Sequence, residues 1–308
     1  MGAARPRRAV AGGRHKRARP AHVRRAVMRS RNAALAAPLL AATLAAQALA
    51  AQTPATLKFT ELGHGPTVVF VHGLGGARLQ WMPTVRKLIT DHHVVMVDLP
   101  GHGETPMPNP FSLEACAAAL DQVLAMQKAE STVVVAHGLG GALALLDASA
   151  HPGRVKGLIV IDATLKPPMA VPDQQKKAFL DIMDANFSDF LKKVYTTMGR
   201  DSAEGVALHA RAALVPEPQM RAYFHALFDL DASGALKNLK TPLLFVGSAR
   251  TWSDTTSWAV VGKARGFDNP GSIRARRVAN SGVQMYADQP DTLAAVIRQF
   301  EAAPLASN

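Results

Sequence analysis

The segment Val133-Val134-Val135-Ala136-His137-Gly138-Leu139-Gly140-Gly141-Ala142 runs from a β-branched strand through a small-residue turn into a helix. It has the form of a G-x-S-x-G elbow, in which a strained turn lifts a reactive side chain above a sheet and small neighbours let strand and helix pass closely. The central position is Gly138, which has no side chain to lift. Groups elsewhere that could accept or hold a proton are His137, His72 in the run His72-Gly73-Leu74-Gly75-Gly76, and the carboxylates Asp98, Asp162 and Asp254. Asp98, His102 and Glu104 also lie close enough in sequence to suggest metal ligands. The single cysteine, Cys116, permits neither an internal disulfide nor a cysteine-based metal cluster. Its Ala-rich helical context reads as a buried apolar position.

Each candidate sits beside a recognisable element. Val68–Val71, His93–Val97, Val133–Ala136, Val155–Ile161, Pro242–Gly247 and Arg274–Val278 read as strands, and an extended segment at Thr56–Phe59 precedes them. Helices are expected over 78–89, 112–127, 141–149, 256–264 and 291–301. The alternation of strand and helix predicts an α/β fold with a mostly parallel sheet covered on both faces. Between residues 165 and 236 only helical periodicity appears, over 177–184, 187–198, 203–214 and 218–227. This stretch reads as an all-helical insertion in a core made of 56–164 and 237–303.

The chain has 308 residues, 48% of them hydrophobic, and a formal charge of +12. That charge would suit a nucleic-acid partner, but its location excludes one. Eleven of the 35 basic residues fall between Arg5 and Arg31, and no acid precedes Glu61; the remaining 24 basic residues face 23 acidic ones, a net charge of +1. Residues 28–51 have the layout of an export signal: a basic start at Met28, an uncharged Ala/Leu run, and Ala48-Leu49-Ala50 as a small-x-small cleavage site. Residues 1–27 read as a basic low-complexity arm or as translated upstream sequence. The expectation is therefore an exported protein, periplasmic or secreted, with no stable membrane span after signal removal.

From about Thr56 to Phe300 the chain resembles the α/β-hydrolase superfamily. His72–Gly76 resembles its oxyanion-hole loop, Asp98–Gly103 its D-x-P-G-x-G turn, and Ala136–Gly141 its nucleophile elbow; the helical insertion occupies the place of its cap. The resemblance implies three catalytic positions in the order nucleophile, acid, histidine. They fall on Gly138, on Arg250, with Asp254 four residues later as the substitute acid, and on Val283. The last histidine in the chain is His225. Glycine cannot attack, valine cannot take a proton, and arginine has the wrong charge for the acid, so serine hydrolysis by the usual triad is not expected.

By the same resemblance, the N–H groups of Leu74 and Leu139, with Gly73, would still face the cavity as an oxyanion hole able to hold a carbonyl or carboxylate. His137 would pack away from the cavity and His72 would brace its loop. Trp81, Trp252 and Met169 would stand at the cavity mouth and favour an apolar ligand. The turn at Asp98–Glu104 occurs in the family without metal, so no metal and no cofactor are expected. Three readings stay open. One is a catalytically impaired homologue that binds a small apolar carbonyl or carboxylate compound. The second is a hydrolase or lyase with an unusual site using His137, His72, Asp254 or a bound water. The third is an interaction scaffold whose pocket is filled by its own side chains.

Overall fold

The computed structural model describes residues 55–167, 172–269, 271 and 273–303. The export segment and Met169 lie outside the described residues. Seven strands form one sheet: β1 (Phe59–Gly63), β2 (Thr67–Val71), β3 (His93–Val97), β4 (Thr132–His137), β5 (Gly157–Ile161), β6 (Leu243–Ser248) and β7 (Arg274–Val278). Their spatial order is β1-β3-β2-β4-β5-β6-β7. All neighbours are parallel except β1, which runs antiparallel to β3 with Phe59 opposite Val97.

Continuous β-branched runs mark strands buried on both faces, and β2 is buried along its whole length. Alternate residues serve opposite cores. Val69, Val71, Val134 and Ala136 join one apolar cluster, while Val68, Phe70, Val133 and Val135 join the other. The edge strand β1 lies later than the extended segment expected at Thr56–Phe59. It is half-exposed, so it has no apolar run to reveal it. The helix expected over 78–89 is also shorter: a 3-10 turn at Arg78–Trp81 leads into α1 (Met82–Val85), and the remainder is turn. Pro83 lacks an N–H to continue an incoming helix and suits the first turn of a new one.

The helices flanking the sheet are α2 (Leu113–Leu124) and α3 (Leu139–Ala150), and later in the chain α8 (Trp258–Ala264), α9 (Met285–Asp288) and α10 (Pro290–Ala302). Ser112 caps α2 by accepting the Ala115 N–H at 3.0 Å. Between β5 and β6 stand the four cap helices α4 (Asp173–Ala185), α5 (Phe187–Met198), α6 (Ser202–Ala212) and α7 (Glu217–Phe228). They share a third apolar cluster built on Met183, Phe187, Leu191, Leu208 and Phe224. No helix among the described residues is long and apolar enough to cross a membrane. The loops after β2, β4, β5, β6 and β7 all leave the carboxyl ends of parallel strands, where open α/β sheets place their ligands.

Candidate active site

Gly138 forms the turn between β4 and α3 at φ 53°, ψ −120°. This conformation strains any residue with a side chain. A Cβ built there would have only the Gly73 Cα nearby, at 3.8 Å. The elbow thus keeps both its backbone geometry and the open space in front of it. The Leu139 N–H, in the first turn of α3, and the Leu74 N–H, in the loop after β2, have no backbone or side-chain acceptor among the described residues. Leu139 is buried and Leu74 half-buried, and N–H groups free of protein acceptors at such a place are available to a ligand or to water. The Leu139 side chain itself belongs to the core.

Two neutral histidines hold the floor of the site. His72 Nδ1 donates to the Gly73 carbonyl at 2.8 Å, and its Nε2 accepts the Leu99 N–H at 3.0 Å. Burial lowers its pKa well below 6.5, with His102 and His137 acting the same way. His102 Nδ1 donates to the Pro100 carbonyl at 3.0 Å, and its Nε2 accepts the Gly75 N–H at 3.0 Å. Burial brings His102 down to about 4. His72 therefore braces its loop, as expected, and both ring nitrogens of His102 are engaged. Asp98 accepts the Arg78 backbone N–H at 2.7 Å and its guanidinium, which also pairs with Glu104 at 3.0 Å. Asp98, His102 and Glu104 thus serve the loops and do not converge as a ligand set. Among the described residues, Asp121, Asp147 and His151 do bring ligating atoms within 4.8 Å of one another. They lie outside the cavity lining, and Arg154 already holds Asp121 at 2.6 Å.

The positions that the resemblance assigns to acid and base bond the cap. Arg250 is exposed and donates to the Thr197 carbonyl in α5. Val283 is buried in the apolar cluster of the cap. Next to it, Gln284 donates to Glu204 of α6 at 3.2 Å, and Arg200 bridges Glu204 at 2.9 Å to Asp288 of α9 at 2.8 Å. Tyr195 of α5 donates to the Leu74 carbonyl at 2.9 Å. Its hydroxyl lies so close over the loop that a Cβ on Gly75 would stand 2.4 Å from it. The cap is latched down across the elbow.

A cavity of about 50 Å³ remains beneath the latch. Leu74, Met198, Leu208 and Val283 give it apolar walls, while His137, Gln80, Arg211 and Tyr286 give it polar ones. The His137 ring does not pack away as expected. It lines the cavity, and a Cβ on Gly73 would approach its Nδ1 to 2.9 Å. Burial lowers its pKa; Asp162 opposes that shift and Arg265 adds to it. Asp162, just after β5, ties down the start of the loop after β6, accepting the Ser248 N–H at 2.9 Å and the Thr251 hydroxyl. Arg211 donates to the Tyr286 hydroxyl at 3.1 Å and pairs with no carboxylate among the described residues.

Three expected residues are elsewhere. Trp81 is fully buried in the core against Phe70 and Tyr286, at 4.9 and 5.0 Å between ring centroids. Its place in the 3-10 turn, pointing back at the sheet, removes it from the cavity mouth. Trp252 packs against Phe245 and Trp258 and donates to the Thr256 carbonyl at 2.7 Å. Asp254 is exposed and outside the cavity lining, because the loop after β6 turns it to solvent. No sequence motif marks Arg211 as a cavity residue. It lies three residues after Leu208, hence on the same face of α6.

A sequence profile described as the alpha/beta hydrolase family matches residues 68–296. A pimeloyl-[acyl-carrier protein] methyl ester esterase of Pseudoalteromonas atlantica is 29% identical over 202 residues, covering 61% of this chain and 77% of that protein. An enzyme of the same description from Stenotrophomonas maltophilia is 29% identical over 259 residues, covering 78% and 95%. Among solved structures, a hydrolase from Oleispira antarctica superposes with a TM-score of 0.66 at 18% identity, covering 80% of this chain and 94% of that one.

Proposed function

The chain belongs to the alpha/beta hydrolase family, and on that premise we propose that it is an exported, catalytically impaired member that keeps its pocket as a small-ligand site. One observation carries this reading. Gly138 holds the elbow conformation with free space before it, yet it supplies no nucleophile, and Val283 has been drawn into the apolar cluster of the cap. Without an attacking group and a base within reach of it, the acyl-transfer route has no first step. The unengaged N–H groups of Leu74 and Leu139 support binding of a carbonyl or carboxylate oxygen at the same place. With Trp81 and Trp252 in the core, the ligand's apolar contacts come from Leu74, Leu208 and Val283.

The test is hydrolysis of a panel of short-chain p-nitrophenyl esters, with Gly138→Ser alongside. No turnover above buffer by either protein is expected, because the restored hydroxyl would find no base. Export rests on the layout of residues 28–51. N-terminal sequencing of the mature protein should find a start at Ala51 or Gln52, and an intact Met1 in a cytoplasmic fraction refutes it.

A second reading is favoured by the position of His137. A neutral imidazole lining the cavity, in the field of Asp162, could activate a water in the space before Gly138. Ester turnover abolished by His137→Gln would establish this reading over the first.

A further inference from the structure

The cavity under the cap holds an unpaired positive charge. Arg211 reaches it from α6 with one side-chain hydrogen bond, to Tyr286, and no carboxylate within ion-pair distance among the described residues. A guanidinium has five donors in a planar fork, so most of them stay unused. The neighbouring arginines of the cap differ: Arg200 is bound to Glu204 and Asp288, and Arg221 to Asp184 and Glu217. Leu74 lines the same small space, and its N–H has no protein acceptor among the described residues. His137, kept neutral by burial, adds no charge of its own but can exchange one hydrogen bond.

We propose that this cavity is a carboxylate site, in which Arg211 and the Leu74 N–H hold the two oxygens of a small organic acid while Leu208 and Val283 cover its carbon chain. The proposal rests on the reading of the pocket as a binding site and narrows its ligand from a carbonyl or carboxylate compound to the acid. Two arguments select the acid. A neutral ester or amide would leave the Arg211 charge uncompensated, whereas a carboxylate accepts charge-assisted bonds from guanidinium and amide together. The space, about 50 Å³, is several times what one water needs, which suits a short chain and excludes a long acyl group while the cap is closed. Arg211 is then the residue that sets specificity.

The experiment uses the full chain labelled with ¹⁵N, titrated at constant ionic strength with butyrate, butyramide and methyl butyrate, and reads the amide resonance of Leu74. Saturable shifts with butyrate, at least tenfold tighter than with either neutral isostere, are expected. Arg211→Gln should weaken butyrate at least tenfold and leave the isosteres unchanged, and Arg211→Lys should fall between. Should Arg211→Gln fail to fold, the wild-type comparison of acid with isosteres still decides. Equal binding of acid and isosteres would overturn the carboxylate assignment and leave the pocket a general ligand site. No saturable shift of Leu74 with any of the three would overturn both.

Discussion

His72 and His102 exchange partners across the floor of the site: His72 accepts the Leu99 N–H from the loop that carries His102, and His102 accepts the Gly75 N–H from the loop that carries His72, both at 3.0 Å. Their rings lie 4.9 Å apart. Each ring accepts at one nitrogen and donates at the other, so each must be neutral, and protonation of either would break a loop-to-loop bond. The loop after β2 and the Asp98–Gly103 turn are therefore one unit.

This exchange predicts an acid-labile fold. A histidine with a depressed native pKa binds fewer protons folded than unfolded, so stability falls as pH drops from its ordinary value toward the native one. For His102 the window runs from 6.5 to about 4, worth ~3 kcal/mol across it. Asp147, raised to about 6 by burial, acts with the opposite sign, so the comparison must be differential. In urea unfolding, the stability gap between wild type and His102→Asn should narrow by ~2 kcal/mol between pH 7 and pH 4.5. A gap that is the same at both pH values contradicts the account.

Gly138 and Gly75 should respond differently to an added methyl group. Gly138→Ala meets open space and suffers only backbone strain, ~1–3 kcal/mol. Gly75, at φ 74°, adds a collision with the Tyr195 hydroxyl, so Gly75→Ala should cost more. Denaturant unfolding of both variants checks the order.

Arg200 is the centre of the latch. Its carboxylate partners Glu204 and Asp288 have side chains only 8% and 6% exposed. Burial pushes the Glu204 carboxyl up, but bonds from the Arg200 backbone and guanidinium outweigh it and hold the group below its ordinary value. Arg200→Ala removes the counter-charge shared by both carboxylates, which keep only their bonds from backbone N–H groups and Gln284, at a cost of ~1–3 kcal/mol. Hydrogen exchange should speed up in α6 and α9 and stay unchanged in β4.

Val283 tests whether the base could simply be put back. Its side chain packs among apolar cap residues at the edge of the small cavity, so a larger, polar imidazole disrupts that packing. Val283→His should lower stability by ~1–3 kcal/mol and loosen the cap. A thermal melt unchanged from wild type would mean that the position still accommodates a histidine.

Local patterns in the sequence identify most of the sheet and the turn at Gly138, and the family resemblance anticipates the bracing role of His72. These depend on β-branched runs and on glycines at tight turns, which are encoded within a few residues. Where Trp81 and Trp252 point depends on the turn geometry around each, and a large aromatic beside a loop fits a core as well as a cavity mouth. The role of Arg211 arises only when α6 is laid over the loop after β2, a contact between residues more than a hundred positions apart. The direction of His137 is not set by its own strand alone: its ring lies where a side chain on Gly73 would stand.

The most direct test of the central claim is the rate of short-chain ester hydrolysis by the purified chain beside that of His137→Gln and Gly138→Ser. All three are expected to match buffer. A wild-type rate above buffer that disappears in His137→Gln would contradict that claim and assign the pocket a reaction.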